Sequence, residues 1–149
     1  MKLAHNAHVL HWKRYVLCNS HVMRHPCWKD KANCTVKAVK NAFDISYPHA
    51  YEVLRAAGRP HGNGLPWDSY ARAIKRLAKQ RGMKLEMLSC FDSVRDYGKT
   101  IVTAQRRVAR NETVFFNVRG HTMSIRRGYT NDWADGRRHH IWQVWRLTA

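Results

Sequence analysis

Apolar residues recur at helical spacing through the first part of the chain and at alternate positions toward its end. In residues 33–43, Val36, Ala38, Val39, Ala42 and Phe43 share one broad helical face, with Lys37, Lys40 and Asn41 opposite. Asn33 is the expected N-cap, which puts Cys34 in the first turn, at the margin between the two faces. A second helix is expected with Ser46 as cap, Pro48 in its first turn and Gly58 at its end, its buried face formed by Ala50, Val53, Leu54 and Ala57. Residues 59–67, RPHGNGLPW, are too dense in Gly and Pro for either period and read as a loop. Asp68 is the expected cap of a third helix that ends at Gly82. Its apolar stripe is Tyr70, Ala71, Ile74, Leu77 and Ala78.

Residues 83–88 read as a short strand and residues 101–109 as a short fourth helix. Alternation then predicts strands in ETVFFNVRG and HTMSIR, a turn at Arg127-Gly128, a return through YTNDW and a last strand in RRHHIWQVWRL. Helices first and strands afterwards argue for an α+β fold, with N-terminal helices packed on a C-terminal antiparallel β-sheet. Residues 1–33 lack clean periodicity. They are expected to form an extension rich in His, Cys and Trp that packs on a domain of residues 34–149, with one short strand at HVLHW.

Composition narrows the function classes. The 149 residues suit one domain, and 44% hydrophobic content is enough for one core. No apolar run approaches the length of a membrane-spanning helix, and the first residues are too polar and His-rich for a secretory signal. A cytoplasmic location with reduced thiols is therefore expected for the four cysteines. With 27 Lys and Arg against 10 Asp and Glu, the formal charge is +17, which predicts contact with a polyanion: nucleic acid or an acidic protein surface.

One constellation carries chemistry. A nucleophilic thiol needs a lowered pKa, partial exposure and a base within reach, and a helix N-terminus supplies the first of these. Cys34 is placed for that role. His121 follows Gly120 at the start of a strand, where a small neighbour leaves room for substrate beside the imidazole. If Arg127 and Gly128 form a two-residue turn, Asp132 falls on the same sheet face as His121, where it can orient the ring. A turn one residue longer would put Asn131 there instead.

Cys at the start of the first core helix, then Gly-His opening a late strand, then Asp or Asn on the return, resembles the papain-like cysteine peptidases. NCTVKAVKNAFDISYPHAYEVLRAAGR with GHTMSIRRGYTNDW is similar, more narrowly, to small papain-fold proteins of bacteriophages; the resemblance covers about residues 30–147. It implies a thiol hydrolase or acyl-transfer enzyme acting on a peptide or isopeptide bond. Cys34 would be nucleophile, His121 base and Asp132 the orienting residue, with no cofactor and a location in host cytoplasm or virion. Such families often place a Gln shortly before the Cys as an oxyanion donor, but the first Gln here is Gln80. The Cys34 amide supplies one donor and the second has no assignment. The alternative is a non-catalytic basic module on the same fold that binds nucleic acid or an acidic host or virion protein.

Two further features compete for function. Cys18-x2-His21-x3-His25-x-Cys27 and the triplet His5, His8, His11 offer zinc-ligand types, but at spacings too irregular for a finger, so no metal is expected. Arg72, Lys75, Arg76 and Lys79 form a basic stripe on the third helix and are the expected polyanion contacts. Arg106, Arg107 and Arg110 make a second cluster, and Trp133, Trp142 and Trp145 are candidates for stacking on bases.

Overall fold

The structure, a computed structural model, describes residues 32–130, 132, 134 and 136–149. Residues 1–31 of the extension, including the expected strand at HVLHW and the His and Cys spacings, lie outside the described residues, as do Asn131 and Trp133.

Three helices come first: α1 (Cys34–Phe43), α2 (Tyr47–Ala56) and α3 (Trp67–Gln80). Strand β1 (Lys84–Met87), helices α4 (Cys90–Tyr97) and α5 (Ile101–Arg107), and strands β2 (Thr113–Val118), β3 (His121–Arg126) and β4 (Ile141–Thr148) follow. The strands form one antiparallel sheet in the order β1-β4-β2-β3, so the fold is α+β.

Local chemistry explains most boundaries. Ser46 caps α2 by accepting from the His49 amide at 3.2 Å, and Gly58 beyond its end takes φ +99°. The expected cap at Asp68 is corrected: α3 begins at Trp67 after Pro66, and Asp68 lies in the first turn, where a carboxylate complements the helix dipole. Helix α4 has no counterpart among the expected elements. Its signal is local, because the Ser89 hydroxyl accepts from the Asp92 amide and donates to the Asp92 carboxylate, both at 3.0 Å.

The turn at Arg127-Gly128 forms with both residues at positive φ, 52° and 73°. Arg126 and Tyr129 then exchange two backbone hydrogen bonds of 3.0 and 2.9 Å. Among the described residues the return strand does not develop further. Pairing stops at that one bridge, and β3 remains the edge of the sheet.

The sheet is covered on both faces. Phe115, Trp145 and Leu147 join the core made with α1, α2 and α3. Val114, Phe116, Val118, Met123, Ile125 and Val144 pack with Tyr97, Ile101 and Ala104 of the second helical layer. That is why β2 is buried at nearly every position instead of alternating.

Helix α1 packs on β3, the strand at one edge of the sheet. Asn41, expected on the polar face, is buried there instead, at 2% exposure. Its Nδ2 donates to the carbonyls of Ser124 and Tyr129, each at 3.0 Å, and the Ser124 hydroxyl donates to the Ala38 carbonyl at 2.7 Å. An edge strand has backbone acceptors that its sheet does not satisfy, and a buried amide on the helix meets them.

Candidate active site

The N-terminus of α1 meets the start of β3. Asn33 occupies the N-cap position of α1 but makes no capping bond; its Nδ2 turns to the Tyr47 hydroxyl at 2.8 Å. The Asn33 side chain thus leaves the first-turn amides of α1 uncapped. Cys34 is half-buried there and hydrogen-bonded to the His121 ring. Burial raises the thiol pKa, but the His121 hydrogen bond, the Thr122 backbone, the imidazolium charge and the Thr35 backbone together outweigh it and hold the thiol below its ordinary value of 9.0.

His121 is buried beside Asp132. Nε2 of the ring lies 2.6 Å from Oδ2 of Asp132, which leaves Nδ1 to take up the bond to the thiol. Burial alone would disfavour the imidazolium. Hydrogen bonds to Asp132 and Cys34, with the charges behind them, overcome it and raise the ring pKa from 6.5 to about 9. The Asp132 carboxylate is itself positioned, since Oδ2 also accepts the Ala134 amide at 2.8 Å. The thiol is shifted down and the ring up, and both shifts move the pair toward a thiolate beside an imidazolium, the state in which a thiol attacks an electrophile.

A cleft of about 660 Å³ opens above the pair, lined by Cys34, Thr35, Tyr70, Gly120, His121 and Thr122 together with a wall of Leu65, Pro66, Trp67, Val118 and Trp142. Gly120 takes φ +67°, and a side chain placed there would meet no atom within 4 Å, so the space beside His121 is open. The wall is absent from the expected site. Trp67 ends the Gly/Pro loop and packs at a tilt against Tyr70 and Trp145, with ring centroids 5.9 and 5.1 Å away. Its position at the mouth of α3 is the signal that points to it. Trp142 is 57% exposed and points outward from β4, whereas Trp145 is wholly buried. The expectation that Trp145 stacks on bases is therefore corrected: it is a core residue.

Arg72, Lys75, Arg76 and Lys79 lie on α3, the helix whose first turn walls the cleft, and all four are exposed. Arg106 and Arg107 are exposed on α5, in the other helical layer, so the two clusters do not merge into one stripe. A separate groove of about 830 Å³ is lined by Arg110, Arg126, Arg127 and Arg146. Two of these are already paired, Arg126 with Asp44 at 3.2 Å and Arg146 with Glu86 at 2.9 Å. Among the described residues no cluster of three or more His, Cys, Asp or Glu is arranged to hold a metal, and no helix is long and apolar enough to cross a membrane.

No family model, curated protein or solved structure matches this chain.

Proposed function

We propose that this chain is a thiol hydrolase or acyl-transfer enzyme of papain-like type, akin to the small papain-fold proteins of bacteriophages, acting on a peptide or isopeptide bond. The observation that carries the reading is the meeting of Cys34, at the first residue of α1, with a buried His121 that Asp132 holds from its far side at 2.6 Å. Cys34 and His121 are 87 positions apart, and no local interaction requires them to meet.

In the reaction the Cys34 thiolate attacks the carbonyl carbon, and the carbonyl π pair moves to oxygen. His121 then gives its proton to the leaving amine as the C–N bond breaks, leaving a thioester. His121 next takes a proton from water, which attacks the thioester carbonyl and releases the acid and the thiolate. Asp132 keeps the ring in place through both proton transfers. The test is a p-nitrophenyl acetate burst followed by a fluorogenic peptide library. Nitrophenolate release and peptide cleavage are expected from the wild type and absent from Cys34→Ala. Equal release from both proteins overturns the reading.

A second reading rests on a separate observation, the alignment of Arg72, Lys75, Arg76 and Lys79 on the outer side of α3 in a chain of charge +17. On that reading the chain binds nucleic acid or an acidic protein without cleaving anything. Titration of a labelled single-stranded oligonucleotide across salt concentrations tests it. Reversing the four charges should flatten the salt slope by about 0.7 for each phosphate that is no longer neutralised, and an unchanged slope removes the stripe from consideration.

A further inference from the structure

Attack on a carbonyl puts negative charge on its oxygen, and the site must present donors where that charge develops. The Cys34 amide is one. A Gln cannot be the second here. Gln80 is exposed at the far end of α3, Gln105 accepts the Gly136 amide, and Gln143 is spent between the Leu88 carbonyl and the Trp145 indole.

The polar groups that line the cleft narrow the choice. Both His121 nitrogens are engaged, by Asp132 and Cys34. The Thr122 hydroxyl donates to Asn117 Oδ1 at 2.8 Å, and the Tyr70 hydroxyl lies 3.4 Å from Thr122 Oγ1. The indoles of Trp67 and Trp142 belong to exposed side chains at the rim. Thr35 differs from all of these. It follows Cys34 in the first turn of α1, it lines the cleft, and it is only 6% exposed. Its Oγ1 is buried and has no hydrogen-bond partner. A buried hydroxyl without a partner destabilises the protein that carries it. A hydroxyl next to the nucleophile gains its partner when an oxyanion forms beside it.

We propose that the Thr35 hydroxyl is the second oxyanion donor, acting with the Cys34 backbone amide on the tetrahedral intermediate. The proposal rests on the hydrolase reading above. Thr35 does a task that a side chain preceding the Cys performs in the resembling families, and does it from within α1.

Two reactions of Cys34 separate this role from a structural one. Acylation by p-nitrophenyl acetate passes through an oxyanion; alkylation by iodoacetamide displaces iodide at a saturated carbon and does not. Thr35→Val keeps the shape and removes the donor. It is expected to slow the acylation burst on the order of 100-fold, with the alkylation rate and its pH profile unchanged and a melting temperature equal to or above wild type. Thr35→Ser should recover most of the acylation rate. A Thr35→Val protein that acylates at the wild-type rate overturns the proposal, as does one that loses acylation and alkylation together. Thr35→Ala serves if the valine does not fold. If the wild type shows no Cys34-dependent burst, the hydrolase reading fails first and takes this assignment with it.

Discussion

Oδ2 of Asp132 lies 2.6 Å from Nε2 of His121 and is held in place by the Ala134 amide, so the carboxylate is oriented before it orients the ring. The ring is then hydrogen-bonded to Asp132 on one side and to Cys34 on the other, and both raise its pKa. Each partner shifts the others, and the pair titrates as a unit.

Cys34 is expected to alkylate faster than Cys90, although Cys90 is the more exposed thiol. Accessibility favours Cys90; thiolate content favours Cys34, whose pKa is lowered. His121→Ala should slow Cys34 labelling near pH 7, because the thiolate loses the hydrogen bond and charge that lower its pKa, and Asp132→Ala should slow it less. Iodoacetamide labelling read by peptide mass spectrometry decides the order, and faster labelling at Cys90 in the folded protein removes Cys34 as nucleophile.

The His121 shift sets a pH window for stability. Its folded pKa, about 9, lies above the ordinary 6.5, so the folded state holds this proton more tightly. That contribution is fully present below pH 6.5 and is lost as pH rises through about 9. The stability advantage of wild type over Asp132→Asn should therefore shrink across this window. Urea denaturation at several pH values tests it, with the His121 ring followed by NMR. A ring that titrates near 6.5 contradicts the shift.

Asn41 ties α1 to β3 and to the Tyr129 carbonyl of the turn that leads to Asp132. Asn41→Ala leaves buried carbonyls without this donor and is expected to cost about 1–3 kcal/mol in urea unfolding. Because the same amide ties the helix that carries Cys34 to the strand that carries His121, alkylation of Cys34 at neutral pH should slow as well. Lost stability with unchanged alkylation would confine Asn41 to a structural role.

The two tryptophans of β4 should behave oppositely. Trp145 is fully buried against Tyr70, Trp67 and Phe115, and Trp145→Ala is expected to cost about 3–5 kcal/mol. Trp142 is largely exposed at the cleft, and Trp142→Ala should change stability by no more than about 0.5 kcal/mol. Its effect should emerge instead as slower reaction of Cys34 with a bulky aromatic chloromethyl ketone than with iodoacetamide. Equal slowing of both reagents would place Trp142 outside the cleft wall.

Periodicity alone locates α1, α2 and α3, because an amphipathic helix must repeat its apolar face every 3.6 residues wherever it packs. Gly-His at the opening of β3 and the Arg127-Gly128 turn are equally legible, since positive φ selects the residues at such turns. Periodicity misplaces Asn41, because a wheel scores an amide as polar and cannot know that an edge strand offers it carbonyls. It misses α4, whose eight residues are too few to repeat an apolar face and whose mark is the Ser89 cap. Register arithmetic leaves Asp132 and Asn131 both open. Tertiary structure brings Asp132 to His121 through one bridge, beyond which the described residues add no return strand, and a turn that aims the carboxylate. The sequence by itself determined which residues had the chemistry and which elements carried them. Only the packing of α1 on the β3 edge decided that Cys34, His121 and Thr35 share one cleft, because that meeting depends on contacts between segments far apart in the chain.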